Sequence, residues 1–204
     1  MTAPLIAATP GQASTSEHKL TAQELDQARK FLEQTQNSVV GATRGLSDAQ
    51  WKFKPAPDRW SIAENLDHIV IVQERVLGPV LDQLADAPAP PANRDYEQVD
   101  TIVVNRFPNR LAKFQAPEFV HPAGEINPSE LLKRLVANYA RLAECLESRP
   151  GLRQHVLPAA PLKAVSNGAY EVMDGYQWIL AAAAHTERHT KQMLEVMAAP
   201  GYPV

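Results

Sequence analysis

His185 and His189 stand four residues apart in a stretch that reads as helix. At about 100° per residue they lie about 40° apart on one face, one turn above the other. Two imidazoles so placed can converge on one divalent ion at roughly 2.0–2.1 Å. The same spacing also arises on solvated helix faces, so the pair alone does not define a site. Its flanks add weight. Ala181 to Ala184 let a neighbouring helix approach closely, and Gln192 and Val196 continue the same line. A zinc-peptidase reading fails here. The H-E-x-x-H motif needs its glutamate base directly after the first histidine, but this chain has Thr186 there. Glu187 turns about 200° away from His185.

Four helical segments must position these residues. The first opens at Thr21, which forms a capping box with Glu24, and buries a stripe through Leu25, Ala28, Phe31, Leu32, Thr35, Val39 and Ala42. It ends near Gly41 to Gly45. A second capping box, Ser61 with Glu64, starts the next helix, with Trp60 before it. Its expected stripe is Ile62, Leu66, Ile69, Gln73, Val76, Val80 and Leu84. Gly78-Pro79 should kink or break it and leave room for a pocket, because proline lacks an N–H and clashes with the Arg75 carbonyl. Residues 87 to 127 read as a proline-rich packed loop without a regular element, held by Tyr96, Val99, Ile102, Val103, Val104, Phe107, Phe114 and Phe119. The third helix starts at Asn127-Pro128, turns Leu131, Leu135, Tyr139, Leu142 and Leu146 inward, and stops at Pro150-Gly151. Residues 152 to 172 carry turn signals. The fourth helix opens at Asp174 with Gln177 and runs to about Ala198. This is an all-α, four-helix bundle with long crossover connections. Residues 1–19, rich in Ala, Thr, Ser and Pro, read as a disordered tail preceding one domain over 20–204.

Composition excludes several function classes. The 204 residues carry 20 Lys+Arg against 23 Asp+Glu, a formal net charge of -3. No basic block could neutralise many phosphates or hold an anionic membrane surface, so neither nucleic acid nor membrane is an expected partner. No apolar run approaches the roughly 20 residues of a membrane helix. The single cysteine, Cys145, excludes an internal disulfide and suits a reduced, cytoplasmic setting.

The stretches Arg59-Trp60-Ser61-Ile62-Ala63-Glu64-Asn65-Leu66-Asp67-His68 and His185-Thr186-Glu187-Arg188-His189-Thr190-Lys191-Gln192 resemble the DinB-like superfamily, as does the run Arg110 to Gly124. The resemblance covers about residues 21 to 198 and implies an up-up-down-down type of four-helix bundle. It also implies that one histidine of the second helix joins the H-x-x-x-H pair around a divalent ion, commonly zinc or nickel. Carried over, the ligands are His68, His185 and His189. Relatives include transferases that activate low-molecular-weight thiols, and hydrolases. The implied function is a metal-dependent enzyme that activates a thiol or water for S-transfer or hydrolysis of a small-molecule substrate. A non-enzymatic metal-binding stress-response or ligand-binding bundle stays open beside it, as does a homodimer.

Around that centre each residue has two readings. Glu64 lies one turn before His68 and is either a second ligand-shell acceptor or simply the capping carboxylate. Gln192 either touches a ligand or is a helix-surface amide. Tyr139 either points its hydroxyl into the cavity or packs in the core. Trp51 and Trp60 are expected to pack around the start of the second helix, and His121 to be a surface residue that could near the pocket. His18 and His155 are expected to be solvated, and Cys145 to be a small buried residue.

Overall fold

The computed structural model of the protein describes residues 19–110, 115–124 and 127–204. The segment read as a tail, all but Lys19, lies outside them, as do His18 and Phe114.

Helix α1 (Ala22–Ala42) starts where its capping box requires: the Glu24 N–H donates to the Thr21 hydroxyl, and the Thr21 N–H donates back to the Glu24 carboxylate at 2.7 Å. Ala28, Leu32, Thr35 and Val39 form its buried stripe. A short α2 (Asp48–Lys52) follows, capped by Ser47 with Gln50, and buries Trp51. Helix α3 (Ile62–Val72) opens at the Ser61–Glu64 box and is buried almost all round.

Gly78-Pro79 does not break the second helix. A π-helical turn over Gln73–Leu77 leads into α4 (Gly78–Gln83), and the Gly78 N–H donates to the Gln73 carbonyl five residues back. The widened turn absorbs the proline, and its extra residue advances the buried face by one position. The buried residues are therefore Gln73, Leu77, Leu81 and Leu84, while Val76 and Val80 are half-buried.

The connection 87–127 also departs from expectation, because it contains α5 (Tyr96–Arg106). Averaging proline content over the whole stretch hid a proline-free window that Asp95 caps. Val99, Ile102 and Val103, at helical spacing, are buried there, whereas Phe119 further on is 58% exposed. Helix α6 (Pro128–Ser148) buries the five residues expected, capped by Asn127. The stretch 152–172 holds a strand β1 (Val156–Pro158) and a short α7 (Ala160–Val165). Strand β2 (Val172–Asp174) pairs antiparallel with β1, Leu157 opposite Met173. Helix α8 (Gly175–Met197) begins at the expected Asp174–Gln177 box.

Each of α1 and α3 packs against both α6 and α8, placing α1 and α3 at opposite corners of the bundle. The Tyr176 hydroxyl donates to the Glu24 carbonyl at the start of both α8 and α1, and Phe53 meets Tyr202 beyond their ends, so these two helices are parallel. Arg29 pairs with Glu147 and Thr35 with Tyr139, so α1 and α6 are antiparallel. Asn65 faces His189 near the start of α3, while Leu84 lies against Gly175, so α3 and α8 are antiparallel too. The direction order is therefore up, down, down, up, a correction to the up-up-down-down order that the resemblance implied.

One end of the bundle is closed by a buried charge cluster. Arg153 has no exposed side-chain surface and meets Glu24, Asp100 and Asp174 from α1, α5 and the cap of α8. Its guanidinium also lies 4.3 Å from the Tyr176 ring centroid. Burial pushes the Asp174 carboxyl up to about 6, against the pull of Arg153.

Candidate metal centre

The other half of the α3–α8 interface carries the histidines. Ala181 to Ala184 are at most 5% exposed, so α8 lies close against its neighbours just before His185. His68 comes from the middle of α3 and is 3% exposed; His189 is 6% exposed. The three imidazoles converge: the ring centroids are 5.0 Å apart for His68–His185 and 4.5 Å for His68–His189 and His185–His189. One ligand atom from each lies within 4.8 Å of the others, forming a potential three-histidine metal-binding site.

Hydrogen bonds fix two of the three tautomers. A carbonyl can only accept, so the Val120 carbonyl, 2.7 Å from His68 Nδ1, requires that nitrogen to carry the proton. The Asn65 Nδ2 donates to the Ser61 carbonyl at 2.8 Å, which turns Oδ1 toward His189 Nδ1 at 3.1 Å and protonates it likewise. Both Nε2 lone pairs are thereby free for a ligand role, the arrangement found where backbone and amide acceptors orient metal-bound imidazoles. His68 Nε2 and His185 Nε2 stand 3.2 Å apart. Two nitrogens bound at roughly 2.0–2.1 Å in a tetrahedral set are separated by about 3.3 Å, so the spacing fits a shared ion. His185 Nδ1 is buried with no hydrogen-bond partner among the described residues.

Burial lowers all three histidines, those of His185 and His189 well below the usual value; neighbouring imidazoles and the charge of Arg188 add to the effect on both. For His68 the Val120 carbonyl and Asp67 work against the shift. Neutral imidazoles are the form that binds a metal.

The long crossover forms one wall. The Ala123 N–H donates to Asp67 at 2.7 Å, the Phe119 carbonyl accepts from Arg75 at 2.9 Å, and Val120 holds His68. Sequence reasoning missed the role of Val120 and Ala123, because backbone groups leave no residue-type signal. Trp60 is more than helix packing: its ring lies 4.7 Å from that of His68 and stacks on His189 at 6.0 Å. His121 is exposed, edge-on to Trp60 at 6.1 Å.

Glu64 is occupied by its capping role, accepting from the Ser61 N–H at 2.7 Å and from Lys54 at 2.9 Å. Burial works to raise its carboxyl, but these donors outweigh it and hold it below the usual range. The Tyr139 hydroxyl bonds Thr35 at 2.9 Å within the core, and burial pushes it up to about 12. Gln192 keeps a buried Oε1 without a partner among the described residues. His155 is half-buried with Nδ1 on the Ala87 carbonyl, not solvated, and Cys145 is half-buried. A groove of about 740 Å³ runs between the end of α1 and the start of α6, lined by Leu46, Trp51, Leu132 and Val136. It holds none of the imidazoles.

Fold and site together define a helical bundle with a three-histidine centre. The chain belongs to the DinB superfamily, whose model matches residues 31–193. It is 25% identical over 155 residues to YuaE, an uncharacterized protein of Bacillus subtilis (strain 168), covering 75% of this chain and 86% of that one. The fold is shared with YfiT from Bacillus subtilis, described as a probable metal-dependent hydrolase with an unusual four-helix bundle topology. The TM-score is 0.58 at 12% identity, covering 91% of this chain and 93% of that one. No helix among the described residues is long and apolar enough to cross a membrane.

Proposed function

We propose that the protein is a metal-dependent enzyme in which His68, His185 and His189 hold one divalent ion, zinc or nickel, beside a small-molecule substrate. The observation that carries this reading is the 3.2 Å approach of His68 Nε2 to His185 Nε2, with the third imidazole closing the set. Bound by these three neutral imidazoles, a divalent ion would supply Lewis acidity that lowers the pKa of a water or a thiol. The chain's residues do the rest. Val120 and Asn65 hold the imidazoles in the ligand tautomer, and Trp60 screens His68 and His189 from water. Glu64, tied to Ser61 and Lys54, is not the base. The reaction is transfer to a low-molecular-weight thiol or hydrolysis, the second supported by the description of YfiT.

The test is turnover by zinc- or nickel-loaded protein in a panel of thiol–electrophile conjugations and activated ester and amide hydrolyses. Turnover that is lost with chelator and in His189→Ala supports the reading. A fully loaded protein inert across the panel would favour an ion that serves the fold, a reading consistent with the burial of His68 and His189.

A further inference from the structure

Asp67 is a carboxylate in the middle of α3 that neither helix formation nor an apolar core calls for. It is 5% exposed. It lies beyond the first turn of a helix that starts at Ile62, outside the reach of a cap or of the helix dipole. Burying a charge there is costly unless strong donors meet it. The Ala123 N–H does so, 2.7 Å from Oδ2, in a charge-assisted bond.

His68, the next residue, grips the same stretch of the crossover, its Nδ1 donating to the Val120 carbonyl at 2.7 Å. Adjacent side chains of one helical turn thus hold a carbonyl and an N–H of a single short segment. The other main-chain donors of that segment are spent or missing. The Val120 N–H donates to the Pro117 carbonyl and the His121 N–H to the Glu118 carbonyl, while Pro122 has none. Ala123 therefore supplies the main-chain donor of residues 120–123 that is left to tie them to α3. Arg75 also holds the segment, through the Phe119 carbonyl at 2.9 Å, but it is exposed and water competes for that bond. The tie from Asp67 is the buried one. A segment held by the His68 bond alone could pivot about it, and the second point of attachment fixes the direction of the Val120 carbonyl.

We infer that Asp67 is a positioning residue of the metal centre: through the Ala123 N–H it sets the Val120 carbonyl, which in turn sets His68 with Nε2 toward His185. This rests on the proposed metal centre. The coupling runs both ways. A cation at Nε2 makes the Nδ1–H more acidic and a stronger donor. Metal binding then tightens residues 120–123 on α3, and their docking favours the metal by the same factor.

Zinc affinity of the full chain, read by competition with a chromophoric chelator, tests this in Asp67→Ala and Asp67→Asn. Circular dichroism checks that both fold. The alanine variant should bind about tenfold more weakly, at the low end for groups that orient metal-bound imidazoles. The asparagine variant, which keeps an acceptor oxygen, should stay within about threefold of the native chain. At saturating cobalt(II) the d–d absorption bands of Asp67→Ala should differ from those of the native chain, which a residue serving only the fold would not cause. Should Asp67→Ala not fold, amide exchange in the native chain decides, the Ala123 N–H slowing about threefold or more when zinc is bound. A folded alanine variant with native affinity and native cobalt bands overturns the inference and leaves the metal centre standing. Equal weakening in both variants, or Ala123 exchange indifferent to zinc, overturns it as well. Failure of the native chain to bind either ion overturns the metal centre and the inference with it.

Discussion

Asn65 and His189 meet across the α3–α8 interface, Oδ1 to Nδ1 at 3.1 Å, and the amide that orients the imidazole is itself held by the Ser61 carbonyl at 2.8 Å. The cap of α3 and the three-histidine cluster are thus one hydrogen-bonded chain. Removing the acceptor in Asn65→Ala frees the ring to rotate or change tautomer. Metal affinity, read by competition with a chromophoric chelator, should fall by about 10–100-fold. Asn65→Asp, which keeps an acceptor oxygen, should bind within a few-fold of the native chain. Equal affinity in the alanine variant would remove Asn65 from the site.

Acid should both release the metal and weaken the apoprotein. Burial holds the folded-state pKa values of the three histidines below the usual 6.5. Below about pH 6.5 the unfolded chain therefore binds more protons at these three positions than the folded one, and their contribution to stability falls as pH drops through that window, with the raised Asp174 carboxyl working the other way. Chemical denaturation of metal-free protein at steps from about pH 7.5 to 5.5 checks the sign. Stability from these groups that rose on acidification would contradict the buried neutral imidazoles.

At the opposite end, Arg153 ties Glu24, Asp100 and Asp174 together with no exposed side-chain surface. Arg153→Met leaves three carboxylates without their shared cation, and should cost about 3–5 kcal/mol in urea unfolding. The exposed pair Arg29–Glu147 gives the contrast: both side chains are about half in solvent, and Arg29→Met should cost no more than about 1 kcal/mol. Similar losses at the two positions would show that Arg153 is not the closure of the bundle end.

The elements that sequence made legible are those with local causes. The capping boxes at Thr21, Ser61 and Asp174 place three helix starts to the residue, and Asn127-Pro128 places the fourth. Helix α2 carried the same kind of signal in Ser47 and Gln50, but its five residues show too little periodicity to stand out. The π turn was hidden because a one-residue advance leaves an equally apolar pattern, with Leu77 and Leu81 beside Val76 and Val80. Of the site, the spacing of His185 and His189 was readable from helix geometry. His68 was brought in only by the resemblance, since nothing local distinguishes it from a core histidine. The wall made by Val120 and Ala123 depends on a crossover folding back onto α3 through main-chain groups. Arg153 stands in the stretch 152–172, whose turn signals say nothing of burial, and only the fold encloses it.

The proposed function requires three imidazoles that share one ion. Elemental analysis of purified protein after exhaustive dialysis, on the native chain and on His68→Ala, His185→Ala and His189→Ala, tests it most directly, with circular dichroism confirming retained helix. The native chain should keep about one divalent ion per molecule and each variant should lose most of it. Native levels of metal in the folded variants, or none in the native chain after reloading with zinc or nickel, would contradict it.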